Sequence, residues 1–280
     1  MDQHEVQHFR AEVIARKNLP TIPAVLARIL QLSDSVDANG KDLIAVIEKD
    51  QALTGKMLRL ANSAFFGQSR RVATIPRAVM LLGFSTVRNL ALGVKVWDAL
   101  GSGIARPRLE ELWMHSVACA MSAKALASRL RAADPDETFT AGLLHDVGRL
   151  VLAMRFRDDY WNAVGGTAET EPVDTLERQA FGIDHAEVGA WMLEAWALPP
   201  AIVEAVRSHH NAASGRTSAG LLAITDRLVA WTDLGTGDMR PEALLLLESN
   251  AERGITAELW HSTVTQLRDN GSLNSFALNG

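Results

Sequence analysis

The chain has 280 residues, of which 48% are hydrophobic and 22% are charged, and its formal net charge is −5. A chain of this length can bury one large hydrophobic core or two smaller ones. The negative net charge gives no general reason to expect nucleic acid as a partner. A single cysteine, Cys119, excludes an intrachain disulfide and is compatible with a reducing compartment.

The N-terminus and the apolar runs predict neither export nor a membrane span. The polar start MDQHEVQHFRAEV lacks the basic, apolar and small-residue order of a secretory signal. The longest apolar runs, such as LVLAM and ALLLL, are far shorter than the roughly 20 residues that a spanning helix needs. We therefore expect a cytoplasmic protein without a membrane partner.

Helix follows helix in the first half, because apolar residues recur at helical spacing and no run alternates as a strand does. The clearest periodic segments are residues 25–32, 43–50 and 53–61. Asp50 and Thr74 stand where capping side chains are expected, and Ser85 is a third candidate cap. Gly83 can end the short helix RAVMLL.

The best internal boundary is the segment GSGIARPRLE at residues 101–110, which combines two glycines and a proline with little periodicity. Longer helices follow it, and Asp184 with Glu187 makes a capping-box-like start for one of them. We predict an all-α, multi-helical fold. An N-terminal helical subdomain at residues 1–100 would pack on a helical bundle at residues 101–280.

Histidines and aspartates are the candidate functional residues of the second half. Each histidine alone is more often a hydrogen-bonded structural residue than a ligand. Asp226 is more informative because it interrupts the apolar stretch LLAITDRLVAW. An ionised carboxylate there must be paired, hydrated or bound to metal. A salt bridge to an arginine and a metal ligand both remain open.

The order of these residues along the chain favours the metal interpretation. Each lies in a separate predicted helix or at a helix end: His115, His145 with Asp146, His185, His209 with His210, and Asp226. Metal sites in helical bundles are assembled from such inward-facing side chains. Imidazole and carboxylate together suit iron, manganese, zinc or nickel more than calcium. A carboxylate next to a histidine could bridge two ions, which would activate water and hold a phosphate.

Several longer segments resemble HDOD domains, which are related to HD-domain phosphohydrolases and to HD-GYP cyclic-di-GMP phosphodiesterases. The N-terminal half contains LPTIPAVLARILQLS, LRLANSAFFG and ATIPRAVMLLGFSTVRNLAL. The later half contains GLLHDVGRLVLA, GAWMLEAWALPPAIVEAVRSHH and ITDRLVAW. The resemblance covers about residues 12–235 and leaves a C-terminal helical extension. It makes the predicted second subdomain HD-like. The family is generally regulatory and bacterial, and many members have lost their metal ligands.

The resemblance implies a divalent metal centre that this chain retains in full, with two ions and with Fe, Mn, Zn, Ni or Mg as candidates. The first ion would be held by His115, His145, Asp146 and Asp226. The second ion would share Asp146 and be held by His185, His209 and His210. If the protein is an enzyme, Asp146 and Arg149 would be its catalytic residues.

The chain also departs from the HD-GYP pattern. No Gly-Tyr-Pro loop follows the double histidine, where the sequence is NAASGRTSAG. Arg149 in HDVGR stands where the HD-GYP signature prefers lysine. Arginine can hold a phosphate bidentately, but it is a poor proton donor. These departures argue against cyclic-di-GMP hydrolysis.

Three functions follow from the sequence. The favoured one is a regulatory module of bacterial signal transduction that binds signalling proteins or a ligand. The second is a metal-dependent phosphohydrolase acting on a nucleotide or cyclic dinucleotide. The third is a nucleic-acid-binding regulator, suggested only by Arg70, Arg71, Arg77 and Arg88 and not expected at this net charge. A homodimer is compatible with an apolar surface between the two halves.

Overall fold

The computed structural model describes residues 1–15, 23–34, 40–62, 71–165, 171–211, 216–234 and 236–269. Regular structure in these ranges is helical, and the one extended pairing within them is an isolated bridge between Thr232 and Met239. This architecture confirms the predicted all-α fold.

Six helices occupy the described part of the first hundred residues. They are α1 (Gln3–Ile14), α2 (Ala24–Asp34), α3 (Gly40–Glu48), α4 (Gln51–Ala61), α5 (Ile75–Leu82) and α6 (Phe84–Leu100). Asp50 caps α4, because its carboxylate accepts the Leu53 N–H at 2.9 Å. The Thr74 hydroxyl caps α5 as predicted.

The junction of α5 and α6 corrects the predicted cap at Ser85. Gly83 has φ of 85°, in a region that disfavours side chains, and it ends α5 as predicted. The same glycine is the N-cap of α6, which therefore begins at Phe84 and encloses Ser85 in its first turn. None of the described helices alone is long and apolar enough to cross a membrane. The pair α5 and α6 meets those criteria only jointly, with a bend of 120° between them.

Ten further α-helices and one short 3-10 helix follow in the described residues. The α-helices are α7 (Arg106–Leu130), α8 (Pro135–Leu144), α9 (Val147–Phe156), α10 (Asp158–Gly165), α11 (Val173–Phe181), α12 (His185–Ala195), α13 (Pro200–Ser208), α14 (Ser218–Ala230), α15 (Pro241–Asn250) and α16 (Ala257–Asp269). Helix α7 begins at Arg106, inside the segment predicted as the internal boundary. Pro107 accounts for this early start, since proline is favoured in a first helical turn.

The second half is organised around α7. Helices α8, α14 and α16 pack on it, while α12 packs on α9 and α13. Helix α6 packs on α8, and the Trp97 indole donates to the Leu143 carbonyl at 2.7 Å. Buried apolar residues form one continuous cluster from the first helices to Val264. The division near residue 100 stays a prediction.

Candidate metal centre

The seven predicted ligands lie on five parts of the fold and meet in one place. His115 lies in the middle of α7 and Asp226 in α14. His145 follows the last residue of α8 and Asp146 precedes the first residue of α9, so the tight junction directs both inward. His185 is the first residue of α12. His209 and His210 follow the end of α13. We call these seven residues the His/Asp cluster.

One group of ligand atoms centres on Asp226. Its Oδ1 atom lies 2.9 Å from His115 Nε2 and 3.5 Å from His145 Nε2. The Cys119 sulfur lies 3.5 Å from the same His115 nitrogen. The ligand atoms of these four residues all lie within 4.8 Å of one another. The partner of the partly buried Asp226 is thus histidine, not the arginine that the alternative interpretation suggested.

A second group centres on His185. Its Nε2 atom lies 2.9 Å from His210 Nε2, 3.3 Å from His209 Nε2 and 3.2 Å from Asp146 Oδ1. Asp146 Oδ1 also lies 3.5 Å from His145 Nε2. Asp146 is therefore the residue that joins the two groups.

Three imidazoles are held by hydrogen bonds on the side that faces away from the cluster. His145 Nδ1 donates to the Gly142 carbonyl at 2.8 Å, and His209 Nδ1 donates to the Val206 carbonyl at 2.6 Å. His185 Nδ1 lies 2.6 Å from a Glu177 carboxylate oxygen. Because these oxygens accept, each Nδ1 carries a proton and each Nε2 faces the cluster.

This arrangement fits a divalent cation. His145 Nε2 is buried and has no hydrogen-bond partner among the described residues. His185 Nε2 faces His209 Nε2 at 3.3 Å and His210 Nε2 at 2.9 Å, so a proton or a cation must lie between these nitrogens. Two nitrogens about 2.1 Å from one ion lie about 3.0–3.4 Å apart, close to the spacings of these histidines.

Electrostatics keep the carboxylates ionised. Burial raises the pKa of Asp146, but the neighbouring histidines and Arg149 outweigh it and hold that pKa well below its usual range. Burial also raises the pKa of Asp226, but His115 and His145 hold it well below the usual value. Burial lowers the pKa of His209 to about 3, so this imidazole is neutral near pH 7. Anionic carboxylate and neutral imidazole are the forms that bind metal.

Tyr160 and Glu177, which the sequence analysis missed, support the cluster from outside together with Arg149. Arg149 Nη1 donates to Asp146 at 3.3 Å, and Arg149 Nε donates to the Tyr160 hydroxyl at 3.2 Å. That hydroxyl donates to Glu177 at 2.8 Å, and Glu177 accepts from both the backbone N–H and the ring of His185. We call Arg149, Tyr160 and Glu177 the outer network. It links Asp146 to His185 through the side opposite the metal position.

A sequence signal for Glu177 existed. Val173, Glu177 and Phe181 are spaced four apart and share one face of α11, so a carboxylate interrupts an apolar stripe. This is the signal that singled out Asp226. Glu177 is fully buried, as that signal would predict.

Glycines allow the helices that hold the cluster to approach closely. A Cβ atom at Gly148 in α9 would lie 1.9 Å from the His185 carbonyl oxygen, and one at Gly142 in α8 would lie 2.5 Å from the Ala120 Cα atom. Both positions therefore require glycine. They set the distances between α9 and α12 and between α8 and α7.

The HDOD domain family matches residues 19–212, most of the chain. The chain belongs to the HDOD family. An uncharacterized protein of Treponema pallidum (strain Nichols) is 29% identical over 199 residues, which is 69% of the HDOD chain. The HDOD chain spans 38% of the length of that relative.

Solved structures share the whole fold. The crystal structure of a "Putative phosphohydrolase" from Shewanella amazonensis SB2B is 25% identical with a TM-score of 0.74, covering 95% of this chain and 98% of that one. An HDOD domain protein of unknown function from Geobacter sulfurreducens is 23% identical with a TM-score of 0.70, covering 95% and 93%. A "Putative signal transduction protein" from Marinobacter aquaeolei VT8 is 24% identical with a TM-score of 0.72, covering 100% and 67%.

Proposed function

We propose that this HDOD chain is a metal-binding regulatory module of bacterial signal transduction, whose His/Asp cluster binds two divalent ions. The observation that carries the proposal is the convergence of seven ligand side chains, with the Nε2 atoms of three histidines directed inward by hydrogen bonds on their outer side. Signalling proteins and a nucleotide or cyclic dinucleotide remain the proposed partner classes.

In this proposal the two groups of ligand atoms correspond to the two ions. His115, His145 and Asp226 would hold one ion, His185, His209 and His210 the other, and Asp146 would bridge them. Bound divalent ions supply Lewis acidity, which polarises a phosphate ester and acidifies water. The outer network keeps Asp146 and His185 in place, because each is tied to Arg149 or Glu177.

Elemental analysis of protein expressed with added iron, manganese and zinc tests the proposal. We expect about two ions per chain in the wild type and a strong loss in Asp146→Ala, since Asp146 belongs to both sites. Asp98→Ala removes a carboxylate that pairs with Lys56 outside the cluster and should leave the metal content unchanged. Wild-type protein without metal under all conditions would refute the proposal.

Chelation provides a second measurement. A ligand present at 100 times its dissociation constant stabilises the folded state by about 2.7 kcal/mol, so removing it should lower the Tm by roughly 5–10 °C. The shift should be present in the wild type and in Asp98→Ala but absent in Asp146→Ala. An equal Tm before and after chelation in all three proteins would contradict metal binding.

A metal-dependent phosphohydrolase is the second candidate, and the partial exposure of one side of the cluster favours it. The side chains of His115, Asp226 and His210 are 23%, 16% and 16% exposed, whereas His145 is fully buried. A phosphate ester could approach from that side, and one structural relative has "phosphohydrolase" in its name. Turnover of phosphodiesters by the metal-loaded wild type, lost in His145→Ala, would support hydrolysis. Metal binding without turnover of any phosphodiester would favour regulation.

Two observations keep hydrolysis in second place. Arg149, the residue expected to hold phosphate, is mostly buried and already bound to Asp146 and Tyr160. The segment after the double histidine lacks a Gly-Tyr-Pro motif, and residues 212–215 of it lie outside the described residues.

Nucleic-acid binding remains an untested and unfavoured alternative. Arg71 and Arg77 are exposed, whereas Arg88 is partly buried and donates to Asn89. Arg70 lies outside the described residues. Absence of binding to DNA and RNA at low salt would exclude this function.

A further inference from the structure

Cys119 lies on α7 one helical turn after His115. Residues four apart project from the same face of a helix, and this spacing lets two side chains of one helix bind the same ion. The Cys119 side chain is fully buried, and its sulfur faces the imidazole that the Asp226 group contains. Helix α7 therefore offers a nitrogen and a sulfur to the same volume.

The distances among these atoms fit coordination. The Cys119 sulfur lies 3.5 Å from His115 Nε2. A nitrogen about 2.1 Å and a sulfur about 2.3 Å from one tetrahedral ion lie about 3.6 Å apart. The four ligand atoms of His115, Cys119, His145 and Asp226 are mutually within 4.8 Å, which is compact enough for a single ion.

An independent group points into the same volume. His145 comes from the junction of α8 and α9, is 0% exposed, and has a buried Nε2 atom without a hydrogen-bond partner among the described residues. A buried cysteine that only fills space behaves as a small apolar residue. The unpartnered Nε2 atom of His145 indicates a cation in this volume, and the Cys119 sulfur lies within 4.8 Å of that nitrogen.

We propose that Cys119 is a sulfur ligand of the ion held by His115, His145 and Asp226. A metal–sulfur bond forms, and the thiol proton leaves to solvent. A thiolate favours Zn²⁺, Co²⁺ or Fe²⁺ over Mn²⁺ or Mg²⁺, so the two positions of the centre would differ in metal preference. This inference rests on the proposed metal function and adds a ligand to the His/Asp cluster.

Absorption spectroscopy of protein loaded with Co²⁺ alone provides the test. Because the chain has one cysteine, any thiolate-to-cobalt charge-transfer band in the near ultraviolet must come from Cys119. We expect this band in the wild type and its loss in Cys119→Ser and Cys119→Ala, with the visible cobalt bands retained. Ser122→Ala is the matched control, since Ser122 is a buried small residue of the same helix. It should keep the charge-transfer band.

Metal competition gives a second readout that a purely structural cysteine would not change. In Cys119→Ser we expect the Zn²⁺ affinity of this position to fall by about tenfold or more. Loss of a residue that only supports a ligand already lowers metal affinity by about tenfold, so loss of a ligand should lower it at least as much. The Mn²⁺ affinity should change little, so the ratio of Zn²⁺ affinity to Mn²⁺ affinity should fall.

The outcomes separate this inference from the proposed function. Co²⁺ bound by the wild type without a charge-transfer band would overturn ligation by Cys119 and leave the His/Asp centre standing. A wild type that binds no Co²⁺ and contains no other ion would overturn the metal function, and this inference with it. The wild-type spectrum is sufficient for both decisions, even if a cysteine variant fails to fold.

Discussion

At the scale of single residues, the protonation and orientation of the cluster depend on groups outside it. His185 is the clearest case, because Glu177 accepts from both its backbone N–H and its ring. Burial lowers the pKa of His185, but Glu177 and Asp146 outweigh it and raise that pKa well above its usual value. The same contacts direct its Nε2 atom to the second group of ligands.

Glu177→Gln tests this support. Glutamine keeps the size of the side chain but loses the charge, so the hydrogen bond to His185 weakens. We expect metal affinity to fall about 10–100-fold while the protein stays folded. Chelator competition measures the affinity. Glu187→Gln, which alters a carboxylate bound to Trp191 and Arg207, is the control and should bind metal as the wild type does.

Asp50 lies outside the cluster, and its contacts change the pKa of its carboxyl group. Burial raises the pKa of this carboxyl, but the Leu53 N–H and Lys95 outweigh it, and the pKa is lowered. A lowered pKa in the folded state means that ionised Asp50 stabilises the fold. This contribution is complete above the pKa of about 3.9 of an unfolded aspartate, and it is lost as the pH falls through the lower folded value.

Asp50→Asn should therefore lower the free energy of unfolding near pH 7 by up to about 1 kcal/mol, because asparagine still caps α4 but does not pair with Lys95. The difference from the wild type should shrink as the pH falls below about 4. Urea unfolding across this range measures it. A difference that is constant with pH, or that grows in acid, would contradict the assignment.

At the scale of helices, the centre depends on how closely α9 and α12 approach. Gly148 makes this contact, since a Cβ atom there would lie 1.9 Å from the His185 carbonyl oxygen and 2.7 Å from the Gly189 nitrogen. Both clashes involve backbone atoms, which cannot rotate away. One of the two helices would have to move, and it would carry His185 or Asp146 with it.

Gly148→Ala should destabilise the protein by roughly 1–3 kcal/mol and reduce metal binding as well. Gly165→Ala is the matched control, because it is also at a helical position and a Cβ atom there meets nothing within 4 Å. Thermal unfolding and metal content of the two variants make the comparison. Normal metal content in Gly148→Ala would show that the contact does not position the ligands.

At the scale of the whole molecule, the buried apolar residues form one cluster that passes the predicted boundary near residue 100. Helix α6 packs on α8 and α9, and Trp97 packs against Trp113 with ring centroids 5.5 Å apart. Helix α6 therefore packs directly on helices that hold the cluster. A common core favours unfolding as one unit.

Calorimetry of the metal-free chain tests this expectation. We expect one transition whose calorimetric and van't Hoff enthalpies agree. Leu43→Ala shortens a buried side chain of α3 and should lower the free energy of unfolding by about 2–5 kcal/mol. The temperature of the entire transition should then fall. Two separate transitions, with only one shifted by Leu43→Ala, would instead support independent units at residues 1–100 and 101–280.

Local patterns in the sequence were sufficient for the helices and for the identity and order of the candidate ligands. Helical periodicity, the caps at Asp50 and Thr74, and an aspartate within an apolar helix each depend on residues a few positions apart. Such signals can be recognised in the sequence because residues a few positions apart share one helix face or one helix end. Ser85 was mispredicted because Gly83 serves both adjoining helices.

Tertiary structure alone decided which atoms meet. His115 and Asp226 are 111 positions apart, yet their nitrogen and oxygen atoms lie 2.9 Å apart because α14 packs on α7. The outer network joins the same place from α9, α10 and α11, whose crossings no local pattern encodes. Packing of distant apolar faces sets those crossings, and therefore the geometry on which the proposed metal centre depends.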